Sequence, residues 1–372
     1  MKPFCDLHGP ALYKTGYPSG STKNSERRKY MKIYILVGFI FITLMGTAMT
    51  EAISADSGKD NRQSQPAVSD KCKELTSRLD IDLKEVVQAG CEPSQAQISK
   101  LMDNPVGNLV VVANQFNWTQ LKGPNFKGSK DAYVYKLTPT FPIPLGESWN
   151  LINRPVFSVP SVPVKRKVGK LIGMSAGEII HQPALFSTVR DPFGRTTGFG
   201  DFAYVGLLSP KKPDKVGEGI FIWGIGPALI FPTASEDVLG QGKYQAGPAA
   251  VAAYIGKDWV FGLFPQHWWS YAGDSDRAST RASNIQYFIY YNITSTVKIG
   301  MSPNITIDWN AAGEDMVTLP VGLGINWMAK LGKLPVRMGI EGYYSAIHPE
   351  NSMGSRLGLR LTFTPVIPTF LF

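Results

Sequence analysis

The side chains best suited to chemistry are few and scattered in this chain. Four histidines, His8, His181, His267 and His348, stand far apart, and none of the three cysteines, Cys5, Cys72 and Cys91, forms a CxxC pair. GxSxG, HExxH and Walker segments do not occur, so nucleophile, zinc ligands and phosphate cradle all lack the spacing their chemistry requires. Gly-rich pieces such as GIGP and GLG precede no helix and read as close packing and strand curvature. No enzyme activity, cofactor or metal is expected. What remains is a set of polar residues embedded in apolar segments: Gln115, Asn117, Arg154, Asp201, Gln266, Asp308, Arg337, Glu341 and Arg360. Amides and charges of both signs in such surroundings suit either a solute-selecting constriction or a paired ionic network that fills and rigidifies a narrow space.

Segments of alternating polarity must position these residues. They follow Pro105 and are longer than the roughly 9 to 11 residues that cross a bilayer as a tilted strand. Strands are expected near Asn108–Leu121, Ala132–Leu145, Trp149–Val162, Gly198–Pro210, Gly219–Pro232, Tyr244–Gly256, Trp259–Ala272, Asn284–Thr294, Thr296–Asn310, Met316–Leu331, Leu334–Ile347 and Ser355–Pro368. That makes about twelve, an even number, as a bacterial barrel needs if both chain ends are to lie on one side. Tight turns (GES, GKD, TS, GK) alternate with longer polar loops (TASEDVLGQG, AGDSDRASTRAS, HPENSMG), which is the asymmetry of periplasmic turns and external loops. The longest loop, 163–197, falls on the external side and carries Lys165, Arg166, Lys167 and Lys170, which read as a solvated basic face.

Parity then assigns faces. In the tenth strand Val317, Leu319, Val321, Leu323, Ile325 and Trp327 alternate with Thr318, Pro320, Gly322, Gly324 and Asn326, and in the fifth Phe221, Trp223, Ile225, Leu229 and Phe231 share one face. The apolar sets are expected to meet lipid, with Phe116, Trp118, Trp149, Phe202, Tyr204, Trp309, Trp327 and Tyr344 forming interfacial girdles. The same parity turns the polar residues named above inward; at Gln266 the neighbouring Trp268 and Trp269 allow a bulge that would shift it. The fold class is therefore an all-β, transmembrane, up-and-down antiparallel β-barrel of about twelve strands with a small N-terminal helical appendage. A soluble sandwich or propeller is the rival, but its strands would run to five or six residues.

Ahead of the barrel, MKIYILVGFIFITLMGTAMTEAISADS from Met31 reads as a secretory signal over 31–55, with a basic start, an apolar run over 33–49 and small residues at the cleavage region. Residues 1–30 lack periodicity and read as an over-extended start or a disordered stretch. Residues 56–103 form a periplasmic linker and helical appendage, with a lumen plug as the alternative. Export leaves Cys72 and Cys91 in an oxidising compartment, where an even pair suggests one disulfide. The helices around it are marked by Gly90 as a C-cap and Ser94 as an N-cap. The net charge of +9 includes +4 from residues 1–55, and with no basic run beside aromatic platforms it speaks against nucleic acid.

Several stretches resemble the outer-membrane proteins associated with the meta-cleavage pathway of phenol degradation, whose members are labelled transporters and sometimes mislabelled neuromedin U. They are NPVGNLVVV from Asn104, ESWNLINRPVFSVP from Glu147, GFGDFAYVGLLSPKKP from Gly198, IWGIGPALIFPTASEDVLGQGKYQAGPAAV from Ile222, WWSYAGDSDR from Trp268, LPVGLGINWMAKLGKLPVRMGIEGYY from Leu319 and LGLRLTFTP from Leu357. The similarity covers about 104–368. It departs in the 163–197 loop, the helical appendage and the tail after Pro365. The resemblance implies a Gram-negative outer-membrane barrel passing small hydrophobic or aromatic compounds, and it supplies no catalytic or binding motif. Twelve-stranded barrels also include a phospholipase with a Ser-His pair in an HxSNG setting, which PQHWWSYAG around His267 lacks.

The functional expectation is a passive outer-membrane channel. The alternative is a structural or adhesive barrel whose lumen is closed and whose external loops bind a partner. Expected surroundings are outer-membrane lipid and lipopolysaccharide, with the barrel-assembly machinery reading the terminal Phe372. N-terminal sequencing of the exported protein should give a first residue directly after Ala48, Ala52 or Ala55; a peptide beginning before Met31 would overturn the signal assignment.

Overall fold

The computed structural model describes residues 70–77, 83–104, 106, 109–124, 128–168, 192–311, 313–332 and 334–367. The signal segment, most of the 163–197 loop and Phe372 lie outside the described residues. Three short helices come first: α1 (Asp70–Ser77), α2 (Leu83–Gln88) and α3 (Gln95–Met102). Fifteen strand segments follow: β1 (Val110–Lys122), β2 (Lys130–Leu145), β3 (Trp149–Val164), β4 (Phe193–Thr197), β5 (Phe202–Pro210), β6 (Asp214–Val216), β7 (Gly219–Phe231), β8 (Lys243–Ile255), β9 (Trp259–Gly273), β10 (Arg281–Asn292), β11 (Val297–Met301), β12 (Asn304–Asp308), β13 (Val317–Leu331), β14 (Leu334–Ile347) and β15 (Gly354–Ile367).

They make a closed antiparallel barrel of twelve staves. β4 and β5 share the fourth stave, and β11 and β12 the ninth, while β6 is a short flap on β7. Closure runs through β1 and β15, from Val110 opposite Ile367 to Lys122 opposite Gly354. Staves appear where the alternation expects them. The eighth begins at Arg281 instead of Asn284, and the ninth is interrupted at Ser302 and Pro303. Pro303 cannot donate to a ladder, which confines it to such a break.

Alternation sorts the side chains as the chain's polarity demands. Leu323 is 62% exposed and Ile225 56%, on an outer face that water would not tolerate over so wide an area. Two belts of aromatic contact ring that face. At the long-loop end Phe157, Phe202, Phe231, Tyr244 and Tyr271 pack in succession with centroids 5.1 to 6.3 Å apart. At the short-turn end Trp149 meets Trp223 at 5.9 Å and Trp259 meets Tyr291 at 5.1 Å. Trp327 departs from the expected girdle, being 2% exposed.

The helical segment is held by local chemistry. Cys72 and Cys91 are joined by a disulfide across α1 and α2, and Gly90 takes the positive φ of 75° that ends α2. Ser94 and Gln97 form a capping box on α3. Gln97 Nε2 also donates to Leu75 O at 2.8 Å and Ser94 Oγ to Thr76 O at 3.1 Å, which ties α3 to α1.

Leu323, halfway along β13, gives a direct test of which face meets an apolar solvent. Leu323→Arg should cost about 2–4 kcal/mol in unfolding titrations from lipid vesicles; an effect near zero would mean that this face is wetted.

Candidate functional site

The lumen is built from the residues opposite the apolar set, and its wall is of two kinds. On the third to seventh staves the inner face is itself largely apolar: Ile152, Val205, Leu207, Ile222, Val251, Ile255 and Phe264 form one buried cluster, with Ala228, Ala249 and Ala253 among them. The expected inward polar ring is therefore incomplete. Runs such as AAVAAYI are apolar on both faces, so parity there does not separate apolar from polar. Arg154 stands on this wall, and its guanidinium lies 4.9 Å from the Phe264 ring centroid. Because β3 and β9 are four staves apart, that contact bridges the lumen.

The remaining staves carry a polar network centred on Glu341, which is 2% exposed. Its carboxylate accepts from Tyr290, Ser302, Asn326 and Tyr343 and lies 3.9 Å from the Arg360 guanidinium. A Cβ on Gly324 would collide with the Glu341 side chain, and one on Gly339 with Asn326, so glycine at both positions makes room for the network. The break in the ninth stave lets Ser302 O accept from Arg360 at 2.7 Å, while Arg360 Nε donates to Asn117 Oδ1 at 3.0 Å and Nη2 to Asn304 Oδ1 at 3.3 Å. One arginine and one glutamate thereby link the eighth to twelfth staves and the first.

The short-turn mouth is occupied by the segment that precedes β1. Asp103, just past α3, is ion-paired to Lys298 and, at 2.8 Å, to Arg337. Arg337 also donates to Ser99 O at 2.6 Å and Met102 O at 3.2 Å, carbonyls of the helix's last turn that a cation suits. Ile98 and Leu109 pack with inward-facing Met328 and Val366, and Val106 joins the apolar wall cluster. The segment thus reaches both walls.

The other sequence-derived residues have separate places. Gln115 faces inward opposite Lys136 and Thr362, and Gln266 opposite Ala249 and Asn284. Asp201 and Asp308 sit at the long-loop rim, not in the constriction. Asp201 accepts from Ala234 N at 3.1 Å and Gln241 N at 2.7 Å, and burial pushes its carboxyl above the ordinary range despite those N–H groups. Asp308 caps a turn through Asn310 N. Lys136, Lys298, Tyr290, Ser302, Asn326 and Tyr343 were not among the candidates. Parity alone turns Lys136 and Lys298 inward, whereas Ser302 enters only through the broken stave.

On the outer wall His267 Nδ1 lies 2.6 Å from Ser283 Oγ, which also takes a hydrogen bond from Trp309 Nε1 at 2.9 Å. Among the described residues His267 Nε2 is buried with no hydrogen-bond partner.

By sequence the chain matches no protein-family model and no curated protein. Among solved structures it is similar to an outer membrane channel from Pseudomonas putida F1, at 15% identity and TM-score 0.45 over 70% of this chain and 96% of that one. Outer membrane phospholipase A from Escherichia coli gives 11% identity and TM-score 0.38 over 71% and 96%. The toluene transporter TodX of P. putida gives 7% and 0.31 over 74% and 92%.

Replacing Asp103 by Ala should leave two buried cations without their anion, a penalty of about 3–5 kcal/mol for breaking such a cluster. Hydrogen exchange should then accelerate across α3 while the barrel strands keep their protection; unchanged protection of α3 would show that apolar packing alone seats it.

Proposed function

We propose that the chain is an outer-membrane β-barrel through which small hydrophobic or aromatic compounds diffuse passively. The observation that carries this reading is the apolar inner wall. Phe264, Val251 and Ile152 turn inward in a packed cluster that Val106 of the mouth segment joins, and where that packing opens, an apolar solute exchanges water for hydrocarbon-like surface at about 25 cal/mol per Å². The exposed apolar exterior between two aromatic belts supports the membrane setting, with lipid and lipopolysaccharide as surroundings.

The closed structural barrel is the second reading, and one observation favours it: α3, Asp103 and Val106 fill the short-turn mouth. On the channel reading, this segment must yield or leave a side passage when solute crosses.

The two readings separate in intact Gram-negative cells, whose lipopolysaccharide leaflet excludes N-phenyl-1-naphthylamine. Expression of the full chain should speed the dye's entry, and a variant exported without residues 70–104 should speed it further. Entry at the rate of non-expressing cells for both proteins would decide for the closed barrel.

A further inference from the structure

Among the described residues, the lumen contains more positive charge than its acids neutralise. At mid-depth the described inward-facing cations are Lys136, Arg154 and Arg360, and the described inward-facing acid is Glu341, whose carboxylate is already committed to Arg360 and four neutral donors. Asp103 is taken up by Lys298 and Arg337 at the short-turn mouth. Lys136 stands opposite Gln115 on one side and Ser158 on the other, and it is exposed, which for an inward side chain means exposed to the lumen. Among the described residues neither Lys136 nor Arg154 has an ion pair, and the contact of Arg154 is the Phe264 ring. A guanidinium lying over an aromatic face keeps its in-plane N–H donors free for a carboxylate.

We infer that Lys136 and Arg154 are two anion-binding stations along the lumen, and that the favoured solutes are aromatic monoanions, carboxylates above all. Lys136 is opposite Ser158, four residues from Arg154 on the same strand, which sets the stations about 13 Å apart along the wall. Apolar surface lies within reach of Arg154, where Phe264, Ile152 and Val205 form part of one cluster. A neutral aromatic compound would gain from the wall alone. A carboxylate of the same shape gains the wall and a charge-assisted hydrogen bond, and a cation of that shape is repelled at both stations. Arg360 adds to the field while remaining held by Asn117 and Ser302, beside a cavity of about 130 Å³ that Asn304 and Tyr343 also line.

The inference deepens the channel reading but is tested by binding, which does not require conduction. Calorimetry on the full chain in detergent micelles at neutral pH should show benzoate binding about tenfold more tightly than benzamide, the increment of one charge-assisted contact. Lys136→Gln and Arg154→Gln should each reduce that preference and leave benzamide affinity unchanged, and Lys136→Arg should retain it. Heat-modifiable migration on gels confirms that each variant is a folded barrel. Equal affinities for the two ligands, no detectable binding of either, or a preference that survives both Gln substitutions would overturn the assignment. Benzoate preference in a protein that fails to admit dye to cells would keep the stations and remove the channel; dye entry without benzoate preference would do the reverse.

Discussion

Pairing of β1 with β15 is the constraint on which the rest of this structure depends. A sheet surrounded by hydrocarbon has no water to satisfy edge N–H and C=O groups, each of which costs several kcal/mol if left bare, so it must close. Closure over twelve staves imposes the alternation of faces and puts all tight turns at one end. It also explains how the two interruptions are tolerated. Where the fourth stave breaks, Gly198 N and Gly200 N donate to Pro160 O and Ser158 O. Where the ninth breaks, Ser302 N donates to Glu341 and Tyr287 N to Pro303 O. Neither break leaves those backbone donors bare.

The break at Ser302 also shapes the lumen. It turns a backbone carbonyl inward where Arg360 can take it, and Arg360 then stays beside Glu341 without needing a full ion pair, at 3.9 Å. Buried charges persist when their remaining donors and acceptors are filled, and here neutral phenols, a hydroxyl and two asparagines do that work. Polar order on one side of the lumen lets the opposite side remain apolar. Arg154 belongs to the apolar side, and no described acid pairs with it.

The segment before β1 couples a local motif to this distant framework. Its capping box and disulfide are encoded within residues 72–97, but its seat is made by Lys298 and Arg337, about two hundred residues further on. A short helix of this kind has little stability alone. Packing of Ile98 on Met328 and Val366, together with the ion cluster at its C-terminal end, supplies what the isolated helix lacks.

Much of this was legible from residue order. Strand positions, turn asymmetry, the outward faces of the fifth and tenth staves, the inward parity of Gln115, Asn117, Arg154, Arg337, Glu341 and Arg360, and the helix caps all follow from period-two alternation and short-range chemistry, which act over a few residues. The expected ring of lumen polarity failed on the third to seventh staves because alternation reports a face only when the two faces differ, and in AAVAAYI they do not. The expectation that Asp201 and Asp308 belong to the constriction gave way similarly to a place at the rim, since parity fixes direction and not depth. Residue order by itself therefore determined the barrel and which side of its wall each side chain takes. Tertiary structure alone decided which charges meet, that Glu341 gathers hydrogen-bond donors from three other staves and the Arg360 guanidinium from a fourth, that Asp103 closes on Lys298 and Arg337, and that no described acid pairs with Lys136 or Arg154, because those distances depend on how staves far apart in the chain are brought together when the sheet closes.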